Sequence, residues 1–375
     1  INKNMKKSWI SLGLMSGTSG DGVDASLIKT NGLDEFKVLA DKYFEYDSNI
    51  YRDIHTLKEK IHKISHLEEF DSELNDLERK ITIFHAKIIK EFKIDDETIV
   101  GFHGQTIYHN FKEKISRQLG NGKLLGQLTK KKIVYDFRSN DILNGGQGAP
   151  LTPIFHHLIA LQHNIDLPVC FLNIGGISNI TIVKEKNNLN ELFSKDLGPG
   201  NCLIDSWVRN NSNKKFDEGG NLALIGTKNE IIFEQAQELY SNRESKEKKS
   251  FDTNDFDISF ARGLSLEDGV TTLTDFTASI IGQELTFAIT NSNQKIKEVL
   301  ICGGGRKNKI LLKKIKENLQ NTINFKLIDD YKVNGDFVES QAFAYLAVRS
   351  LLDLPISFPG TTGCKHPSLG GKYIK

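Results

Sequence analysis

Asp196 is the residue best placed to accept a proton. In Phe193-Ser-Lys-Asp-Leu-Gly-Pro-Gly-Asn-Cys202 a strand is expected to end at Asp196, Gly198-Pro199-Gly200 to turn the chain, and Asn201 to cap a helix that opens at Cys202. A carboxylate at such a strand end can take a proton from water or from a hydroxyl, which is the work of a general base. It could instead only brace the turn, and Asp205, inside the helix, is a second candidate.

Glycine-rich turns supply the complementary chemistry, a hold on anions. Ser16-Gly17-Thr18-Ser19-Gly20-Asp21-Gly22 joins an apolar strand, residues 9–15, to an apolar return strand, residues 23–28. Its glycines permit unusual backbone angles and close approach, its successive N–H groups form an anion nest, and the Ser16, Thr18 and Ser19 hydroxyls add donors. One such turn alone is only a turn. The pattern returns at residues 169–183, where Asn173-Ile174-Gly175-Gly176 joins two apolar strands, so two phosphate-holding hairpins and two similar lobes are expected. Gly303-Gly304-Gly305 follows a strand at 298–302 and leads into a basic helix, a place for a nucleotide to lie against backbone. It is not a dinucleotide fingerprint, because Asn308 occupies the third required glycine, and no P-loop motif occurs in the chain.

A further polar set follows two short strands. His103-Gly-Gln105-Thr-Ile-Tyr-His109 is expected at the carboxyl end of a strand over 98–102, where α/β sheets bind ligands. A strand over 132–137 runs into Arg138-Ser-Asn-Asp141 and then Gly145-Gly-Gln-Gly-Ala-Pro-Leu151, a candidate grip for a polar or anionic substrate. Arg138 and Asp141 could alternatively form a local ion pair.

Around these residues the elements follow from periodicity. A third strand, 35–46, should lie beside the first hairpin, and amphipathic helices should follow at 51–66 and 74–92. Their histidines, His55, His62, His66 and His85, are given no chemistry. His156 and His157 sit on a helix, where neighbours point about 100° apart and do not easily share a metal. Polar connections at 210–221 and 241–257 flank a helix; 268–290 is a long helix, 326–329 a last strand, 339–352 a last helix and 359–363 a final turn. The first lobe is drawn as 1–160 and the second as 161–344, with 345–375 returning to the first.

Charge and composition exclude several classes. Lys plus Arg, 49, nearly cancels Asp plus Glu, 48, over 375 residues, which gives no reason to expect nucleic acid or an anionic membrane as partner. The basic runs at 130–132 and 246–249 are read as solvated faces, with Lys249 left open. Cys170, Cys202, Cys302 and Cys364 are far apart, which argues against a zinc site or a disulfide framework and fits a reducing cytoplasm. No apolar run approaches the roughly 20 residues of a membrane span, and the start lacks the core of a secretion signal. Residues before Met5 are left out of the fold reading.

Paired glycine-rich hairpins in two lobes resemble the sugar kinase, actin and heat-shock ATPase superfamily. That resemblance implies an α/β fold of two duplicated lobes with mixed sheets around a central nucleotide cleft. Within it the chain resembles the anhydro-N-acetylmuramic acid kinases of bacterial cell-wall recycling, through Gly13-Leu-Met-Ser-Gly-Thr-Ser19 with Asp21-Gly-Val-Asp24, His103-Gly-Gln-Thr106, Asp136-Phe-Arg138 with Gly145-Gly-Gln-Gly-Ala-Pro150, Asn173-Ile-Gly-Gly-Ile177, Asp196-Leu-Gly-Pro-Gly-Asn201 and Cys302-Gly-Gly-Gly305. It departs at Gly20, where the family usually carries a bulkier apolar residue, at Leu197, where threonine is expected, and at Ser139, where a second arginine is common. The resemblance implies ATP and Mg²⁺ as cofactors, a cytoplasmic homodimer, and Asp196 as the base that activates water. Ser16 to Gly22, with Asn173, Gly175, Gly176, Gly198, Gly200 and Asn201, would hold the phosphates, and Gly303 to Gly305 the adenosine. His103, Gln105, Arg138 and Glu339 would contact the sugar. An ordinary sugar kinase and a non-catalytic actin-like ATPase module are the alternatives.

Overall fold

The computed structural model describes residues 7–241, 251, 256–319 and 323–374. The first hairpin forms as its sequence requires: β1 (Trp9–Ser16) pairs antiparallel with β2 (Gly22–Thr30), and β3 (Phe36–Glu45) adds to the far side of β2. Three helices follow, α1 (Ser48–Lys60), α2 (Ser65–Glu69) and α3 (Asp71–Glu91). The Asp47 carboxylate caps α1 by accepting from the N–H groups of Asn49 and Ile50, both at 3.0 Å, so that helix opens before its apolar spacing indicates. It closes at Lys60 because Ile61 is extended, and the single helix expected over 51–66 is therefore two.

Then come β4 (Ile99–Asn110), β5 (Ile115–Leu119), α4 (Gly122–Thr129), β6 (Lys132–Tyr135), α5 (Ser139–Leu143) and α6 (Pro153–Gln162). The segment from His103 to His109 is thus not a loop after a strand. It is the second half of β4, because residues 105–110 pair antiparallel with β5, a hairpin partner whose short polar sequence carries no strand signal. The second hairpin is β7 (Val169–Ile174) with β8 (Ile177–Val183), followed by β9 (Phe193–Pro199), α7 (Cys202–Asn211), α8 (Asn221–Ile225), α9 (Glu230–Ser241) and α10 (Leu266–Thr290). The basic run at 246–249, with Lys249, lies outside the described residues. β10 (Glu298–Cys302), α11 (Lys309–Glu317), β11 (Asn324–Leu327), α12 (Val338–Leu351), α13 (Pro359–Thr362) and β12 (Lys372–Ile374) complete the chain. β11 lies earlier than the strand expected at 326–329, and Asp329 falls in a 3₁₀ turn.

The two sheets repeat one topology. The first reads β3-β2-β1-β4-β6-β12, with β5 on β4, and the second reads β9-β8-β7-β10-β11. In each, an antiparallel hairpin is flanked by a third strand on one side and by two parallel strands on the other. Helices carry the parallel crossovers, as such connections demand. The chain divides into two compact units, one of Ile1–Ile165, Lys186–Phe193 and Asp336–Lys375, the other of Asp166–Glu185 and Ser194–Gly335. No helix among the described residues is long and apolar enough to cross a membrane.

Alternation along β1 and β4 decides how the first unit is layered. Leu12, Leu14, Val100 and Phe102 join the core built by Ile50, Ile54, Leu57, Leu77 and Ile81 of α1 and α3. Gly13 and Gly101 carry the other parity and let α12 lie directly on the sheet: a Cβ at Gly13 would stand 1.9 Å from Ser340 O, and one at Gly101 2.3 Å from Phe343 O. In the second unit Leu203 and Trp207 of α7 and Leu222 of α8 pack with Val270, Leu273 and Phe276 of α10. Each fully buried side chain of this kind is worth about 1.5–3 kcal/mol.

Candidate functional site

The turn between β1 and β2 is held by its neighbours. Gly20 N–H closes it on Gly17 O at 3.1 Å, Gly20 has φ +64°, and the Ser19 hydroxyl donates to Asp21 Oδ1 at 2.6 Å. Ser16 is buried, and its hydroxyl stands 2.5 Å from Gln105 Oε1 and 3.0 Å from Gly22 O while accepting from Tyr46 Oη at 3.0 Å. The Gln105 amide also donates to Gly17 O at 2.9 Å. Gln105, expected against sugar, therefore has its amide committed to bracing this turn, and the Ser16 hydroxyl is likewise engaged inside it. From α1, Lys58 Nζ donates to Thr18 O at 2.5 Å, a cation at the turn that local sequence gives no sign of. A Cβ at Gly17 would be in ordinary contact with Ser19 Oγ at 3.9 Å, so the turn has room for a side chain there.

His103 and Arg138 meet side by side. Arg138 Nη2 lies 2.8 Å from His103 Nε2, and because a guanidinium can only donate, Nε2 accepts and Nδ1 carries the proton given to Gly104 O at 2.7 Å. Burial first, and then the Arg138 charge, hold the His103 pKa well below its ordinary value, so the ring is neutral. Arg138 Nη1 donates to Gly148 O at 2.8 Å. The local ion pair with Asp141 does not form: Asp141 is buried on α5 and accepts instead from Gly148 N–H, Ser357 Oγ and Thr362 Oγ1. Glu339 stands in the first turn of α12.

In the second unit Asn173, Gly175, Gly176, Gly200, Asn201 and the three glycines of 303–305 come together. The tip of the β7–β8 hairpin lies on the start of α7, where Gly175 O accepts from Asn201 N–H and Gly176 O from Gly200 N–H, both at 2.8 Å. A Cβ at Gly200 would stand 2.3 Å from Gly175 O, so this approach requires glycine. Asn201 precedes the helix as expected but does not cap it; its side-chain amide donates to Gly175 O at 3.1 Å. Asp196 is buried within β9 rather than at its end, since Ser178 Oγ donates to Gly198 O and Pro199 O and carries the strand through the Gly-Pro pair. Its Oδ2 accepts from Phe251 N–H at 2.7 Å.

Gly303 to Gly305 divide by role. A Cβ at Gly303 would meet Asn173 Oδ1 at 2.5 Å and one at Gly305 Ile174 Cγ2 at 2.3 Å, whereas one at Gly304 would meet nothing within 4 Å. The cradle is fixed from below: Arg306 donates to both oxygens of Asp329, at 2.7 and 3.0 Å, and to Gly303 O at 3.2 Å. Asn308, at the place of the missing third glycine, caps α11 through Leu311 N–H at 3.0 Å. An exposed glycine backed by two packed ones suits the flat face of a nucleotide. Among the described residues no three His, Cys, Asp or Glu side chains gather as a metal cage.

The duplicated strand order, with an antiparallel hairpin in each half, is a mixed α/β architecture of two similar sheets. The chain belongs to the anhydro-N-acetylmuramic acid kinase family, which it matches over residues 9–375. The anhydro-N-acetylmuramic acid kinase of Pelagibacter ubique is 54% identical over 99% of this chain and 100% of its own length, and that of Zymomonas mobilis is 37% identical over 97% and 99%. Among solved structures, the activator of the 2-hydroxyisocaproyl-CoA dehydratase from Clostridium difficile, with bound ADPNP, matches at TM-score 0.41 and 11% identity over 92% of this chain and 96% of that one, too distant a likeness to bear on the ligand.

Proposed function

We propose that the protein opens the 1,6-anhydro ring of 1,6-anhydro-N-acetylmuramic acid with water and phosphorylates O6 from ATP, giving N-acetylmuramic acid 6-phosphate for cell-wall recycling. Family membership along nearly the whole chain carries this reading. A 1,6-anhydro sugar has no free 6-hydroxyl, so water must supply the new oxygen at C1. Asp196 takes a proton from that water as its oxygen bonds to C1. The C1–O6 bond breaks, O6 bonds to the γ-phosphorus, and the bond from that phosphorus to the bridging oxygen breaks to release ADP. The proton on Asp196 then passes to solvent. A positioned base contributes about 10²–10⁴-fold.

Backbone N–H groups of the turn at 16–22 and of Gly176 hold phosphate oxygens, with Asn173, Gly175, Gly198, Gly200 and Asn201 shaping the second turn, and Gly303 to Gly305 take the adenosine. Asp21, on the first turn, would be the carboxylate to hold a Mg²⁺, which when bound would supply positive charge against the charge that develops on phosphoryl transfer. His103, Arg138 and Glu339 contact the sugar, with Gln105 acting through the turn. A reaction that consumes ATP belongs in the cytoplasm. Homodimerisation is expected from the family resemblance, and light scattering should return the mass of two chains.

Turnover of the anhydro sugar, with free N-acetylated amino sugars left unphosphorylated, is the expected result of a coupled ADP-release assay. In ¹⁸O water, label should enter C1 and be absent from the transferred phosphate, in product trapped early against an exchange control. Phosphorylation of a free sugar alone would make this an ordinary sugar kinase, and ATP turnover with neither sugar acted on would make it a non-catalytic module.

A further inference from the structure

We propose that Asp141 is a positioning residue for the His103–Arg138 pair, acting through the peptide of Gly148; this rests on the sugar-binding role given to that pair above. Asp141 is wholly buried, and each of its oxygens has its own task. Oδ1 accepts from Ser357 Oγ at 2.5 Å and Thr362 Oγ1 at 2.6 Å, which ties it to the C-terminal segment. Oδ2 accepts from Gly148 N–H at 2.7 Å. The same glycine, at φ +74°, accepts at its carbonyl from Arg138 Nη1 at 2.8 Å, and Arg138 in turn donates to His103 Nε2.

One residue of the glycine loop is thereby gripped at both its N–H and its C=O, by a carboxylate on one side and a guanidinium on the other. The loop also wraps the carboxylate closely: a Cβ at Gly146 would stand 2.1 Å from Asp141 Oδ2, and Gln147 N–H donates to Thr362 O at 2.9 Å. Burying a carboxyl group is costly, and three donors compensate it here. A neutral acceptor would close the same loop at lower cost. The carboxylate differs from an amide in offering acceptors on both oxygens, so it can hold the C-terminal segment and Gly148 together. Through that link the guanidinium of Arg138 is set against a histidine ring whose tautomer Arg138 itself fixes.

Asp141→Ala tests this, because it removes both acceptors and with them the hold on Gly148 N–H, whereas an Asn oxygen could still accept there while its amide nitrogen donated to the Ser357 and Thr362 hydroxyls. Steady-state kinetics on the full-length protein should show the KM for anhydro sugar raised about tenfold or more, with the KM for ATP and kcat within about threefold. Thr362→Val is the companion: it removes a donor to Oδ1 and leaves the Gly148 link, so it should lower the thermal midpoint while the sugar KM stays within about twofold. An unchanged sugar KM in Asp141→Ala, equal rises in both KM values, or an equal rise in Thr362→Val would each overturn the proposal. Should Asp141→Ala not fold, Asp141→Ser keeps a hydroxyl but shortens its reach toward Gly148 and is read in the same way. Wild-type protein inactive on the anhydro sugar would sink the functional reading itself, whereas an active wild type with an indifferent Asp141 sinks only this inference.

Discussion

The carboxylate of Asp196 accepts a hydrogen bond from the backbone N–H of Phe251 at 2.7 Å through Oδ2. That bond orients a buried side chain on β9. Asp196→Asn keeps this contact, since the amide oxygen can accept from Phe251 N–H, but the amide is not basic enough to take a proton from water. We expect kcat to fall by at least about 10²-fold, the scale of general base catalysis, with the KM values for ATP and sugar changed little. Near-normal turnover in the folded variant would remove Asp196 from the role of base.

Gly304 predicts a selective loss. A Cβ at this position would have no neighbour within 4 Å, while Gly303 and Gly305 are packed on Asn173 and Ile174. Gly304→Val should therefore fold and raise the KM for ATP about tenfold, leaving the sugar KM within about twofold. If both affinities fall together, the triple glycine serves structure rather than adenosine.

Where the sequence was legible, the information was local. The turns at 16–22 and 175–176 stand between uninterrupted apolar runs, so both hairpins and the duplicated plan could be read from strand and turn alone. Asp196 was harder to place, because Gly198-Pro199-Gly200 looks like a turn. Pairing beside β8, with the Ser178 hydroxyl on Gly198 O and Pro199 O, carries the strand on. The polar residues from His103 to His109 look like a loop until β5 pairs with them, and nothing local ties Lys58 to Thr18, Gln105 to Ser16 or Asp141 to Thr362. Such partners are set by packing between elements far apart in the chain, and a periodicity argument does not see them.

Gly13 separates packing glycines from site glycines. A Cβ there would meet Ser340 O at 1.9 Å and Ala344 N at 2.5 Å, both backbone atoms of α12 that can move only if the helix does. Overpacking of this kind costs about 3 kcal/mol, and urea unfolding of Gly13→Ala should show that loss. Gly17→Ala, whose Cβ has 3.9 Å of clearance, should stay within about 0.5 kcal/mol of wild type. Equal stability of the two variants would mean that α12 is not seated on β1 as described.

Buried histidines make stability depend on pH in a stated direction. Burial lowers the pKa of His85 to about 4 and that of His156 to about 3, and burial with the Arg138 charge lowers that of His103. In the unfolded chain the same rings titrate near 6.5, so below that pH the unfolded state binds more protons than the folded one. Their contribution is fully present above pH 6.5 and is lost as pH falls, for His85 down to about 4. Each ring in that window contributes a slope of about 1.4 kcal/mol per pH unit. His85 packs its ring on Phe102 at 4.8 Å and has one buried nitrogen, Nε2, without a partner among the described residues, so protonation there meets no compensating acceptor. Urea midpoints measured at pH 7, 6 and 5 should fall steadily. His85→Phe, which retains the aromatic packing and removes the titration, should flatten that fall by about one ring's share. A slope identical to wild type in that variant would show that His85 takes up a proton in the folded protein as readily as in the unfolded chain.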